Sequence, residues 1–314
     1  MITPVAALVS DLVSSGDRAL RAEAALLELV HQGKDVPAIV EGVRPLADHA
    51  DARVRTRAIM VLSEALGASV LPILEAHLSD LDGGVRAAIE DAAEDIGEAG
   101  RGLLKRLVAD SDMGVRFWAA VTLSEAGDAD GSKVLVEGLQ SSYTRFEALQ
   151  GLFRLGEKSA EEPVRRIMKK WFLPAIDRVA AAGLLAKLGD MPARKLLLEE
   201  IARRKSDVRG LAIAFAGDLP LSEAVPTLEK ILSDKKDPMR GAAAVALGRM
   251  KVERLTGELA RILGDEAEDV DMRASAAEGL GALGTPEATQ ALNNALTSVK
   301  DAELRQAIEE ALGQ

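Results

Sequence analysis

One pattern of apolar and polar residues recurs along almost the whole chain. Each copy has an apolar residue, an arginine, two variable residues, a small residue, and then Leu and Gly about one helix later. Successive copies of the arginine are 29 to 34 residues apart. They are Arg21, Arg55, Arg86, Arg116, Arg145, Arg178, Arg209, Arg240, Arg273 and Arg305. This regular spacing predicts a tandem array of structural repeats.

Each copy of the pattern predicts one helix. In VRFWAAVTLSEAG, residues Val115, Ala119 and Leu123 have the spacing of one face of an α-helix. An aspartate often stands four residues before the arginine, where its carboxylate can cap the helix and lie one turn from the arginine. These aspartates are Asp17, Asp51, Asp82, Asp112, Asp269 and Asp301. Glycines that we expect to end the helices with positive φ are Gly67, Gly97, Gly127, Gly156, Gly189 and Gly284.

Amphipathic segments of similar length lie between these helices. LPILEAHLSD and VPTLEKILSD are two of them, and both end in polar turns. Each repeat is therefore predicted to be a helix, a short turn and a second helix. One such pair cannot bury its apolar face alone, so neighbouring pairs must stack. The sequence predicts an all-α solenoid of about ten helix pairs, with residues 1–314 in a single array that is capped by its first and last repeats.

The repeated residues resemble the HEAT repeat, in the short form of the phycobilin-lyase-type HEAT proteins. The segments that match it best are DPMRGAAAVALG (237–248) and MRASAAEGLGALGTPEATQAL (272–292). The resemblance covers nearly the whole chain and implies a right-handed superhelix. It implies less about function, because this fold hosts scaffolds, lyases, hydroxylases and glycosylases. The copy YTRFEALQGLFRLG departs from the pattern, since it lacks the aspartate and carries extra aromatic residues.

The chain offers few residues for catalysis. It contains no cysteine, so it has no thiolate nucleophile and no disulfide. The HEAT-type deoxyhypusine hydroxylases hold iron with His-Glu dipeptides, whereas His31, His49 and His77 are followed by Gln, Ala and Leu. Residues 279–284 form a literal G-x-G-x-x-G, but helical sequence precedes it where a dinucleotide loop needs a strand. We therefore predict a non-catalytic protein with no cofactor and no metal site, although a dispersed carboxylate site remains an alternative.

Net charge and hydropathy narrow the choice of partner. The net charge is −11, which disfavours nucleic acid and anionic membranes. No apolar stretch is expected to reach the ~18 residues that span a bilayer, and MITPVAALVSDLVSSGD predicts a helix and not a signal peptide. We expect a cytoplasmic protein, a monomer, with a protein as its partner.

Charge and aromatic residues are both unevenly distributed. Residues 1–150 have a net charge of −10, residues 151–250 of +6 and residues 251–314 of −7. Seven of the eight aromatic residues lie between positions 117 and 172. Aromatic residues and arginine carry much of the binding energy at interfaces, although aromatic rings can equally fill a core. The predicted partner-binding residues are Phe117, Trp118, Phe146, Arg154, Arg165, Lys169, Trp171, Phe172 and Lys187.

The sequence thus predicts a HEAT-repeat scaffold or adaptor. Its partner would be an acidic or amphipathic protein segment, bound on the concave face of the middle repeats. Two alternatives remain open. One is a bilin lyase or chromophore-handling chaperone, which the resemblance implies, and the other is nucleic-acid binding through the basic residues 151–250.

Overall fold

The structure is a computed structural model that describes residues 5–219 and 221–313. Within these residues the chain forms helices and turns and no strand. It divides into two compact units, Met1–Leu155 and Gly156–Gln314. The first four residues of the predicted N-terminal helix lie outside the described residues, and α1 begins at Val5.

Each unit is a succession of helix pairs. The helices of the first unit are α1 (Val5–Leu12), α2 (Asp17–His31), α3 (Val36–Val43), α4 (Ala52–Leu66), α5 (Leu71–His77), α6 (Gly83–Asp95), α7 (Arg101–Leu107), α8 (Met113–Glu125), α9 (Ser132–Gly138) and α10 (Arg145–Leu155). Those of the second unit are α11 (Glu161–Met168), α12 (Ala175–Lys187), α13 (Met191–Ala202), α14 (Arg209–Asp218), α15 (Val225–Ser233), α16 (Arg240–Arg249), α17 (Thr256–Gly264), α18 (Val270–Leu283), α19 (Pro286–Ser298) and α20 (Ala302–Ala311).

All ten repeat arginines lie on the even-numbered helices. Within each unit, neighbouring even-numbered helices pack side by side, and the odd-numbered helices pack against them as a second layer. Apolar residues at one position of the repeat fill the space between the layers, and Leu62, Leu123 and Leu247 are fully buried there. This arrangement confirms the predicted all-α solenoid class.

Aspartates cap the even-numbered helices at most of the predicted places. Asp51 accepts a hydrogen bond from the backbone N–H of Arg53 at 2.9 Å. The other predicted aspartates that cap a helix are Asp82, Asp112, Asp269 and Asp301. Asp17 is the exception, because it is the first residue of α2 and Gly16, with φ of 67°, takes the capping position. The six glycines predicted to have positive φ have values between 51° and 95°, so that prediction is confirmed.

Four of the repeat arginines, on α4, α6, α14 and α16, form ion pairs with a carboxylate of the following repeat. Arg55 donates to both carboxylate oxygens of Asp80 at 2.7 Å, and Arg86 donates to Asp110 at 2.6 and 2.8 Å. In the second unit the corresponding pairs are Arg209–Asp237 and Arg240–Glu268. The capping carboxylates are occupied by backbone N–H groups, whereas the long guanidinium reaches the next turn and ties adjacent repeats together.

One stretch, Ala52–His77, is long and apolar enough to cross a membrane by length and composition alone, contrary to the sequence-based expectation. In the structure it consists of α4, a short 3-10 helix and α5, which are separated at Gly67. The buried face of α4 packs against α6. We therefore interpret the stretch as two core helices of the first unit.

Candidate partner-binding site

The predicted partner-binding residues fall in both units. Phe117, Trp118, Phe146 and Arg154 belong to the first unit. Arg165, Lys169, Trp171, Phe172 and Lys187 belong to the second. They also come from both helix layers, because Arg165 lies on α11 and Lys187 on α12. Each unit therefore holds its own part of the set.

Phe117 is a core residue, so its assignment to a binding surface is wrong. Its side chain is 1% exposed. The ring packs over Gly138 on α9, where a methyl group on the glycine would stand 2.5 Å from it. The absence of a side chain at Gly138 makes the room that this ring needs between α8 and α9. Phe146 is partly buried, and Trp118 is 49% exposed with its ring edge-to-face against Phe117 at 5.5 Å.

Arg154 is paired within the first unit. Its guanidinium donates to Oε1 of Glu125 at 2.8 Å and to the hydroxyl of Ser124 at 3.2 Å. At the same position of two neighbouring repeats, the sequence has the negative Glu125 and the positive Arg154. These two side chains form an ion pair between α8 and α10. Surface pairs of this kind contribute little to stability.

The turn between α11 and α12 presents two aromatic rings to solvent. Trp171 is 87% exposed and Phe172 is 89% exposed, and their rings meet edge-to-face at 6.2 Å. The next residue, Leu173, is buried at 7% and anchors the turn. Pro174 then occupies the capping position of α12 and restricts the backbone. Residues 169–174 are called the aromatic turn below.

An open cleft of about 350 Å³ lies beside the aromatic turn, between α11 and α13. Its lining is mainly apolar and includes Met168, Leu185, Pro192 and Leu196, with Arg165 and Lys169 at its rim. Arg165 donates to Oε1 of Glu161 at 2.9 Å and also pairs with Asp190. These hydrogen bonds raise the pKa of the Arg165 guanidinium. The ammonium of Lys169 has no carboxylate partner among the described residues.

Four of the predicted residues therefore come together, namely Arg165, Lys169, Trp171 and Phe172. Lys187 ends α12, whereas the aromatic turn precedes that helix. A helix of this length puts roughly 18 Å between them.

Two lysines in the turns before α14 and α16 were not among the predicted residues. Lys205 and Lys236 each stand four residues before a repeat arginine, Arg209 and Arg240 respectively. In five of the other repeats this position holds a capping aspartate such as Asp112. Helices α14 and α16 accordingly start without a side-chain cap. An alignment of the turns by their distance from the repeat arginine would have revealed the exchange of aspartate for lysine.

The two helix layers and the arginine pairs between repeats define an α-solenoid of helix pairs. The family model for HEAT repeats matches residues 194–271 and 225–313. The matched residues thus contain HEAT repeats, as predicted. No curated protein matches the sequence.

Several solved structures resemble the chain at low sequence identity. An engineered protein is 19% identical over 98% of both chains, with a TM-score of 0.47. The CpcE–CpcF complex of phycocyanin lyase from Nostoc sp. PCC7120 is 19% identical over 68% of this chain and 93% of the other, with a TM-score of 0.44. The karyopherin Kap121p, bound to the extreme C-terminus of the phosphatase Cdc14p, is 13% identical with a TM-score of 0.50. It is matched over 99% of this chain but only 42% of its own length, and the likeness concerns the fold alone.

Proposed function

We propose that this protein is a non-catalytic HEAT-repeat adaptor that binds a protein partner at the aromatic turn and the adjoining cleft. The observation that carries the proposal is the pair Trp171 and Phe172, which is almost fully exposed to water. The expectations of a cytoplasmic monomer and of binding on a concave face stay predictions.

The energetics of the aromatic pair favour a binding role. Leaving two large rings in water costs the free energy that their burial would release, because each can bury 150–250 Å². Tryptophan is enriched among the residues that dominate binding energy at interfaces. Leu173 and Pro174 restrict the turn, so Trp171 and Phe172 lose less conformational entropy when a partner covers them.

The cleft supplies a complementary feature. Its apolar walls suit an aliphatic or aromatic side chain of the partner. The charge of Arg165 is already matched by Glu161 and Asp190, whereas Lys169 at the rim remains available for a carboxylate of the partner. Kap121p, which has a similar fold, is bound to a segment of another protein, and this is compatible with a protein as the partner here.

The test is affinity capture from a lysate of the source cells. The wild-type protein and two variants serve as bait. In the first, Trp171→Ala and Phe172→Ala remove the exposed pair. The second, Tyr143→Ala, is the matched control, because Tyr143 is 96% exposed in the equivalent type of turn before α10. Circular dichroism establishes that both variants fold.

We expect one protein to be recovered by the wild type and by Tyr143→Ala, and to be lost from the Trp171→Ala/Phe172→Ala variant. A two-residue truncation in a binding hot spot lowers affinity by at least about 30-fold. Recovery of the same protein by all three would contradict the proposal. Retention of an added bilin by the purified wild type would instead favour the chromophore-handling alternative.

A further inference from the structure

The turns that precede α12, α14 and α16 lie along one edge of the second unit. These three helices pack side by side in sequence. Ion pairs join the turns before α14 and α16, since Arg204 contacts Asp234 at 3.0 Å and Arg209 contacts Asp237 at 2.8 Å. The edge therefore continues from the aromatic turn across two further repeats. It is called the turn edge below.

Four lysines on the turn edge are exposed and form no salt bridge within the part of the chain that the structure describes. They are Lys169, Lys170, Lys205 and Lys236. The arginines beside them are engaged, because Arg203 pairs with Glu200 at 2.6 Å and Arg204 with Asp234. The free positive charge of the edge thus comes from lysines, and the two exposed aromatic rings stand at one end of it.

We propose that the partner presents an acidic segment in an extended conformation that lies along the turn edge. This inference rests on the proposed function. An apolar residue of the segment would contact Trp171 and Phe172, and its carboxylates would pair with Lys205 and Lys236. Packed helices are about 9 Å apart, so the edge is roughly 18 Å long. An extended chain advances ~3.3 Å per residue, which makes the segment about six residues long.

The charges along the edge favour a peptide over a polymer of phosphates. Asp207 and Asp234 lie on the same turns as Lys205 and Lys236. A peptide can place separate carboxylates beside the lysines, whereas a nucleic-acid backbone or an anionic lipid surface would also bring negative charge onto these aspartates. The site has a definite end, because a cleft of about 480 Å³ at Lys236 has Asp269 and Asp271 on its opposite wall. Those aspartates repel further acidic residues.

Fluorescence of Trp171 provides a direct test. The variant Trp118→Phe leaves Trp171 as the single tryptophan of the full chain. The probe is the synthetic peptide Leu-Phe-Gly-Asp-Glu-Asp with blocked ends, which has the length derived for the segment. Its titration should shift the emission of Trp171 to shorter wavelength, because the ring leaves water. The same peptide with lysines in place of its acids, oligothymidylate and phosphatidylserine vesicles are the comparison ligands.

Charge reversal tests whether the acidic residues of the segment pair with the lysines of the turn edge. Lys205→Glu and Lys236→Glu together should weaken binding of the acidic peptide by about tenfold, since like charges then face each other. Lys158→Glu is the control, because Lys158 is exposed in the same unit and precedes α11, whereas the aromatic turn follows that helix. It should leave the affinity within about twofold. The inference fails if the charge-reversed protein binds like the control, or if oligothymidylate or the vesicles shift Trp171 emission at lower concentration than the peptide.

The two proposals can fail separately. If the Trp171→Ala/Phe172→Ala variant loses the captured cellular protein while Lys205→Glu/Lys236→Glu retains it, the adaptor function stands and the acidic segment is wrong. If both variants retain that protein, the aromatic turn is not the site and both proposals fall.

Discussion

At the scale of single residues, Glu90 is the side chain that departs most from the repeat. It is 4% exposed on α6, four residues after Arg86. In three other first-unit repeats the residue at the same position is apolar and fully buried, namely Ile59, Ala120 and Leu149. A carboxyl group thus stands where its neighbours contribute to the core. It accepts a hydrogen bond from the hydroxyl of Thr122 on α8 at 3.1 Å.

Ionisation of Glu90 should oppose folding. Burial raises its pKa from 4.5 to about 7, while the hydrogen bond from Thr122 acts in the opposite direction and the carboxylates of Asp91 and Glu94 raise it further. A raised pKa means that the folded state binds a proton that the unfolded state has lost between pH 4.5 and 7. The free energy of unfolding therefore falls as pH rises through this range, and the full loss is present above pH 7.

We predict that Glu90→Gln stabilises the protein at pH 8 by on the order of 3 kcal/mol, the equivalent of the pKa shift. Glutamine keeps the shape of the side chain and can hydrogen-bond to Thr122 without charge. The difference from wild type should shrink as pH falls and vanish below about pH 4.5, where Glu90 is protonated in both states. Urea unfolding followed by circular dichroism across this pH range measures it.

Glu75→Gln is the control for that experiment, because Glu75 is exposed on α5 and its replacement removes one carboxylate without altering a buried site. We expect it to change stability by less than about 0.5 kcal/mol at any pH. A stability difference for Glu90→Gln that is the same at pH 4 and pH 8 would show that ionisation is not its cause.

At the scale of helices, glycines set how closely α16 and α18 approach. Gly248 on α16 lies against the backbone of Gly279 on α18, where a methyl group would overlap the carbonyl oxygen of Gly279. A methyl group on Gly279 would in turn stand 2.7 Å from the carbonyl oxygen of Ala244. The literal G-x-G-x-x-G of the sequence therefore serves helix packing and a helix end, since Gly284 has φ of 66°.

We predict that Gly248→Ala lowers the free energy of unfolding by about 1–3 kcal/mol. Alanine is the better helix former by up to ~1 kcal/mol, but the backbone of α18 must move to admit its methyl group. Thermal unfolding followed at 222 nm provides the measurement.

Gly257→Ala provides the comparison for the helix contact, because a methyl group there meets open space on α17. It should be neutral or stabilise by up to ~1 kcal/mol. Equal midpoints for Gly248→Ala and Gly257→Ala would mean that the α16–α18 contact tolerates the extra atom.

The helices themselves could be predicted from the sequence because their signals are local. Capping by Asp51 and termination at Gly67 depend on residues within one turn of the helix end, and both are confirmed. The acid that pairs with the repeat arginine could not be identified in this way. Asp80 and Asp237 stand 25 and 28 residues after their arginines, so their contacts exist only once neighbouring repeats stack.

The candidate site could be predicted only in part for a similar reason. Composition indicated Trp171 and Phe172, but it could not distinguish these exposed rings from Phe117, whose burial depends on Gly138 in the neighbouring helix. The contribution of Lys205 and Lys236 emerges only when turns of different repeats are compared at the same distance from their arginines.

At the scale of the whole molecule, the sequence predicts one continuous array, and the structure contains two compact units. In repeat proteins each repeat contacts mainly its neighbours, so stability is close to a sum of local and nearest-neighbour terms. A defect in the core of one repeat should therefore weaken nearby helices most. If so, the 314 residues do not unfold as one cooperative body.

We predict that Leu62→Ala increases backbone hydrogen exchange in the first unit more than in the second. Leu62 is fully buried on α4, and truncation of a buried leucine costs about 2–5 kcal/mol. The increase should be largest in α4 and α6, which pack together, and should decline along the chain toward α10. Hydrogen exchange measured by mass spectrometry resolves these helices.

The reciprocal variant is Leu247→Ala, at the equivalent buried position of α16, and it should affect the second unit most. If either substitution raised exchange equally in all helices, the chain would unfold as a single cooperative body, because only global unfolding exposes every helix to the same degree.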